Sequence, residues 1–253
     1  MIRHPVAVRT QAPGRSNHKT VANSLIVLTF LGAAIFRFKE VTAHMNYLAH
    51  SYLAIGSDEF LLGSFLGDFV KGRIKNRYNR AIEQGIIFHR KVDTFTDSHV
   101  LTADCRQLFS PYRRRFAGII VDICYDHFLS KYWNTYASVD LCEFAEHIYK
   151  VMRTHSHLLP PRLQDVLPRM QRQNWLIKYG SLEGVQITLE RISKRISANN
   201  PLNGSIEEII HNYKSLESNF SSFFPDLIDF ARHCFASGQY PLTLLPENSD
   251  LRT

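Results

Sequence analysis

The sequence has few cysteines: Cys105, Cys124, Cys142 and Cys234 stand far apart and form no C-x-x-C pair. A disulfide framework and a zinc knuckle are thereby excluded, and a reducing compartment, the cytoplasm, is the expected location. The uncharged run at residues 24–36 has only thirteen residues, where a helix that crosses a bilayer needs about 20. No G-x-x-x-x-G-K, G-x-G-x-x-G or G-x-S-x-G motif is present, which argues against P-loop, Rossmann and hydrolase-elbow chemistry. Zinc-finger spacing and a basic-aromatic strand platform are also missing, so no nucleic-acid module is expected. Internal repeats and low-complexity tracts are absent.

What is present is a chain of 253 residues, 45% of them apolar, enough to bury one sizeable core. The net charge of +7 is unevenly spread. Residues 1–44 hold six basic side chains against Glu40 alone, which accounts for +5 and leaves the body near neutral at +2. Within that body one stretch is strongly basic: Lys71, Arg73, Lys75, Arg77, Arg80, Arg90 and Lys91 oppose only Glu83. Residues 1–20 are polar, basic and without periodicity, and residues 1–44 are expected to be an N-terminal extension, disordered or an artefact of start-site choice, with a signal or anchor as the alternative. Helical periodicity starts just after Met45, so one domain is expected over residues 45–240, followed by a tail at 241–253.

Apolar residues recur at three- and four-residue spacing through the body and seldom alternate, which predicts an all-α, single-domain helical bundle. Helices are expected at 46–54, at 58–70 with Ser57 as N-cap and Gly72 as stop, at 78–95 and at 100–109. After Pro111 a long helix is expected over 114–136, then one at 141–153 capped by Ser138. Pro160, Pro161 and Pro168 mark a connection, Gly180 and Ser181 open the next helix, and residues 199–204 form a turn. A final helix over 206–236 is expected to kink at Pro225.

The chemistry-bearing residues cluster between His50 and His127. His89, Asp93 and Asp97 are four apart, which sets an imidazole and two carboxylates along one helix face if the helix continues to Asp97. Asp122 and Asp126 repeat that spacing in a strongly apolar stretch, with His127 next to the latter. Buried carboxylates are costly unless paired or metal-bound, so these acids need partners. His50 and Asp68 are further polar residues in apolar company. Taken singly, each reads as a hydrogen-bonded core histidine or a helix cap; six such residues from four helices point to a shared cation. Mixed imidazole and carboxylate donors suit Mn2+ or Fe2+ better than a structural zinc, with Mg2+ also possible on these donors. A cation of that kind clamps anionic oxygens and acidifies water, the chemistry of phosphoester hydrolysis. The basic stretch from Lys71 to Lys91 and the Arg113, Arg114, Arg115 triplet border these motifs.

Four ordered motifs carry a family resemblance. Met45-Asn46-Tyr47-Leu48-Ala49-His50, Gly67-Asp68-Phe69-Val70-Lys71-Gly72, His89-Arg90-Lys91-Val92-Asp93 with Thr96-Asp97, and Asp122 followed by Asp126-His127-Phe128-Leu129 resemble the acyl carrier protein phosphodiesterases. The resemblance implies a helical fold related to the HD-domain phosphohydrolases and a preference for manganese. It also implies hydrolysis of the phosphodiester between phosphopantetheine and a serine of holo acyl carrier protein, releasing apo protein and 4'-phosphopantetheine. On that basis His50, Asp68, His89, Asp93, Asp122 and Asp126 are expected to supply the metal centre. Asp97 and His127 would support them or move protons, and Lys71, Arg90 or Lys91 would offset charge on the phosphoryl oxygens. Lys71, Arg73, Lys75, Arg77, Arg113, Arg114 and Arg115 would steer the acidic carrier protein. The sequence departs from the usual HD ligand pair, because Asp126-His127 runs in the reverse order. Two other readings stay open at this point: an HD-like phosphohydrolase of small nucleotides, and a non-catalytic helical module that binds acyl carrier protein.

Overall fold

A computed structural model describes residues 47–54, 56–196 and 200–237. The expected extension at 1–44 and tail at 241–253 lie outside the described residues, as does the apolar run at 24–36. Among the described residues every regular element is helical and no strand occurs, in agreement with the all-α expectation. The helices are α1 (Tyr47–Leu53), α2 (Asp58–Leu66), α3 (Arg80–Ser98), α4 (Val100–Gln107), α5 (Ala117–Lys131), α6 (Trp133–Tyr136), α7 (Leu141–Thr154), α8 (Pro161–Arg172), α9 (Trp175–Lys178), α10 (Leu182–Ile196), α11 (Ile206–His211) and α12 (Tyr213–Ala236), with short 3-10 turns at Arg114–Phe116 and Ser156–Leu158.

The centre of the core is α5, whose residues are buried almost throughout and which α1, α4, α10 and α12 surround. Its apolar sequence is therefore a consequence of being covered on all sides. Aromatic rings from α12 close the core: Phe220 and Phe223 pack on Tyr125, and Phe224 on Tyr52 and Tyr136. Helices α2 and α3 meet nearly backbone to backbone. A Cβ at Gly63 would lie 2.2 Å from the Ile82 carbonyl oxygen, and one at Gly85 2.2 Å from that of Phe60. Only glycine at these two positions permits that approach, which fixes how close the turn after α2 comes to the side chains of α3.

Several helix ends differ from the sequence reading for identifiable reasons. Helix α2 stops at Leu66, and the Phe69 and Val70 N–H groups both donate to the Leu66 carbonyl; Gly72, at φ +73°, belongs to the loop beyond. Helix α3 begins after Asn79, whose Oδ1 accepts from Ile82 N–H at 2.9 Å, and it runs on through Asp97. Asp140, and not Ser138, caps α7 by accepting from the Cys142 and Glu143 N–H groups. Pro161 stands at the first turn of α8, where its missing N–H costs nothing. Pro168 is tolerated inside the same helix, whose Leu163, Leu167 and Met170 are buried. The expected 114–136 helix breaks at Tyr132, and the expected 206–236 helix breaks at Asn212. There the Asn212 amide donates to the Glu208 and Leu108 carbonyls. Pro225 lies within α12. No helix among the described residues is long and apolar enough to cross a membrane.

Glu208 ties the end of this layer to the loop before α5. Its carboxylate accepts from Ser110 N–H at 2.9 Å, Ser110 Oγ at 2.8 Å and Arg113 Nε at 2.9 Å. Arg113 also donates to the carbonyls of Pro201, Asn203 and Gly204. Desolvation raises the Glu208 carboxyl, but the Ser110 donors and the Arg113 charge outweigh it and hold the group below its ordinary value. Because the folded state releases this proton more readily, the stabilisation is present above about pH 4.5 and is lost as the pH falls through the lowered folded value. Glu208→Gln is expected to cost about 1–3 kcal/mol at pH 7. Urea unfolding at pH 7 and pH 3 should show the difference from wild type shrinking at the lower pH.

Candidate active site

Three elements deliver four polar side chains to one place. His50 comes from α1, Asp68 from the turn that follows α2, and His89 and Asp93 from successive turns of α3. His50 Nε2 lies 3.1 Å from Asp93 Oδ1. His89 Nε2 lies 3.3 Å from both Asp93 Oδ2 and Asp68 Oδ1. The two imidazoles stack at 3.8 Å between centroids. His50 and His89 are buried at 4% and 2% exposure, whereas the Asp93 side chain is 48% exposed and opens the cluster to solvent.

Gly67 explains how Asp68 comes so near His89. A Cβ at Gly67 would stand 2.2 Å from His89 Cγ, so the imidazole occupies the space that a side chain there would fill. Gly67→Ala is expected to displace the His89 ring, to lower stability by about 1–3 kcal/mol, and to weaken binding of a divalent cation. Denaturant unfolding and calorimetric titration with Mn2+ would measure both.

Charge in the cluster is tightly coupled. Burial lowers His50, and the neighbouring His89 lowers it further, so His50 favours its neutral form. Burial alone would lower His89 too, but the charges of Asp68 and Asp93 raise it to about 10. Desolvation raises Asp93, yet His89 and His50 together hold it well below the usual carboxylate range. Two carboxylates thus face two imidazoles, and His89 takes a proton to offset the excess negative charge.

This donor set fits a divalent cation. Ligand atoms of His50, His89 and Asp93 all lie within 4.8 Å of one another, and Asp68 adds an oxygen next to His89. The Nε2 atoms of both imidazoles point at these carboxylates, and both Nδ1 atoms are buried without a hydrogen-bond partner among the described residues. Neutral imidazole and carboxylate oxygen together suit manganese or iron.

The remaining sequence candidates are not among those grouped ligand atoms. Asp126 is fully buried under the start of α1, where Oδ2 accepts from Leu48 N–H at 3.0 Å and Oδ1 from Ala49 N–H at 2.9 Å. Burial raises its carboxyl to about 7 although both N–H groups lower it. Its partners are backbone donors, which the apolar surroundings of the sequence did not reveal. Asp122 is half-buried on α5 near Cys124 and Tyr125, apart from the His50, His89, Asp93 group. Asp97 is exposed and pairs with Arg106. The His127 ring bonds the Tyr179 carbonyl at 2.7 Å and the Tyr213 hydroxyl at 2.9 Å. Arg90 donates to the carbonyls of Val70 and Gly72, so it fastens the loop after Asp68. Lys91 is half-buried near Cys234, and Lys71 is exposed. Arg113 clamps the 201–204 turn, and Arg114 donates to Phe109 and Gln107.

Sequence reasoning passed over two phenols that border the cluster. Burial and then the charge of Asp68 push Tyr47 well above its ordinary value; burial and then Asp126 do the same to Tyr179, with Asp68 contributing. Tyr47 stands three residues before His50, a spacing that puts both on one face of α1.

The family model for acyl carrier protein phosphodiesterase matches residues 45–227. Among curated proteins, the acyl carrier protein phosphodiesterase of Photorhabdus laumondii subsp. laumondii is 35% identical over 190 residues, covering 75% of this chain and 96% of the relative. Those of Serratia proteamaculans and Yersinia enterocolitica are also 35% identical, each over 74% of this chain and 98% of the relative. No solved structure matches. The matched span takes in α1 to α5 and every residue of the histidine and aspartate cluster, and on that match the chain belongs to the acyl carrier protein phosphodiesterase family.

Proposed function

We propose that this protein hydrolyses the phosphodiester between phosphopantetheine and the serine of holo acyl carrier protein, and that it does so with a divalent cation, manganese by preference. The observation that carries this reading is the convergence of His50, His89 and Asp93 within 4.8 Å, with Asp68 alongside. These four residues would hold the cation, which supplies Lewis-acid polarisation of phosphoryl oxygens when bound. His50, kept neutral by burial and by His89, offers a lone pair at neutral pH. His89 keeps a proton at Nε2 between Asp68 and Asp93 and so balances their charge until a cation takes that role. Asp93, half-exposed, is the member of the cluster that solvent reaches. Asp68 is nearly buried and fixes the His89 ring from the other side.

The loop that carries Lys71, Arg73, Lys75 and Arg77 follows Asp68 directly, and all four side chains are exposed. A basic face next to the cluster suits an acidic carrier protein, and its attraction would fall with added salt. Arg113 and Arg114 contribute less to such a face, because their donors go to internal acceptors. Cys105, Cys124, Cys142 and Cys234 are unpaired, which supports a reducing, cytoplasmic setting. The test is mass spectrometry of holo acyl carrier protein after incubation with the protein and Mn2+. Loss of the whole phosphopantetheine group is expected. An unchanged mass alongside tight association would point to a binding module, and turnover of small nucleotides alone to the other hydrolase reading.

A further inference from the structure

Next to the histidine and aspartate cluster lies a cavity of about 180 Å³ whose walls include Tyr47, Phe69, Trp175, Arg162, Arg169 and Arg195. It adjoins the cluster through two of these residues. Tyr47 is one turn before His50 on α1, and Phe69 directly follows Asp68. The two rings stack at 6.5 Å.

The three arginines come from α8 and α10, and no carboxylate among the described residues forms an ion pair with any of them. A fourth, Arg191, sits over the Trp175 ring at 4.9 Å, with Arg169 over the same ring at 5.6 Å. Arg191 donates to Gln173, a neutral partner. Arg195 is reached by solvent, but partial desolvation still lowers it, and although the Tyr47 phenol raises it, the charges of Arg162, Arg169 and Arg191 lower it further. Guanidiniums so crowded repel one another unless an anion joins them, and their planar forks match phosphate oxygens.

We propose that this arginine cavity is a second anion subsite, one that takes the phosphate monoester end of the released prosthetic group. The identity of that ligand rests on the phosphodiesterase reading. Hydrolysis supplies the discrimination: the diester bears one negative charge, whereas the monoester bears close to two at neutral pH, since its second pKa is about 6. A pocket with several cations therefore prefers product phosphate over substrate phosphate. Trp175, Tyr47 and Phe69 add apolar contact for the chain attached to it. Placed beside the cluster, the subsite would draw the product phosphate away from the cation and would also make the product an inhibitor.

The experiment is titration of the full-length, Mn2+-loaded protein with 4'-phosphopantetheine, inorganic phosphate and dimethyl phosphate, read by calorimetry and by the emission of Trp175. Trp133, the other tryptophan, is buried in the core, and Trp175→Phe provides the optical blank. The monoester and inorganic phosphate are expected to bind saturably, and dimethyl phosphate at least about tenfold more weakly. The double variant Arg162→Gln/Arg195→Gln, changed only at exposed positions, should weaken monoester binding at least about tenfold with an unchanged far-ultraviolet spectrum. The proposal is overturned if the monoester fails to bind, if the diester binds equally well, or if the double variant binds like wild type. It is also overturned if apo carrier protein, which lacks the phosphate, alone changes Trp175 emission in an arginine-dependent way. A null titration with intact hydrolysis removes only the subsite. Monoester binding in a protein that leaves holo carrier protein intact keeps the anion cavity and removes the phosphodiesterase reading.

Discussion

Replacing His89 with alanine is expected to lower hydrolysis of holo acyl carrier protein by about a thousandfold or more while the chain still folds. Nε2 of this residue touches both carboxylates of the cluster, Asp68 and Asp93, at 3.3 Å each. Alanine removes that bridge and leaves two acids facing each other, with His50 as the remaining imidazole. The cost to stability is expected to be about 1–3 kcal/mol, which circular dichroism and urea unfolding would separate from a failure to fold. Manganese affinity should fall along with turnover. A folded variant with wild-type turnover would remove His89 from the chemistry.

Asp126→Ala is expected to be the more damaging change to the fold, at about 2–4 kcal/mol. The carboxylate is fully buried and both oxygens hold backbone N–H groups of α1. Without it two donors at the start of that helix are left unsatisfied where water does not reach. Because α1 also carries Tyr47 and His50, cation affinity should drop as the helix loosens. Asp126→Asn keeps one acceptor oxygen and is expected to lose about half as much. The comparison by urea unfolding is direct: an alanine variant as stable as wild type would show that Asp126 does not anchor α1.

How far the sequence was legible follows from which forces are local. Helical spacing read correctly as an all-α body, because burial of one face imposes that period on each segment separately. The row His89, Asp93, Asp97 shares one helix because α3 runs past its expected end at residue 95, yet only part of the row meets the cluster. At 3.6 residues per turn, a step of four drifts by about 40°, so two steps carry Asp97 about 80° around the helix. It therefore stands in solvent and pairs with Arg106. Asp126 was rightly expected to need a partner; what lay beyond the sequence was that α1 would present its free N–H groups there. Arg90 looked available for a phosphate, but the loop after Asp68 uses it to hold two carbonyls. The arginine cavity left a faint trace, since Arg162 and Arg169 are seven apart and Arg191 and Arg195 four apart. Such spacing ordinarily marks a solvated face, and only the packing of α8 and α10 on α9, which carries Trp175, turns it into a pocket.

The most direct test is anomalous diffraction at the manganese edge from crystals grown with Mn2+. The expected result is a peak enclosed by His50, Asp68, His89 and Asp93 that vanishes in His89→Ala. No peak there, or a manganese peak bound instead at Asp122 and Asp126, would contradict the assignment of this cluster as the catalytic centre.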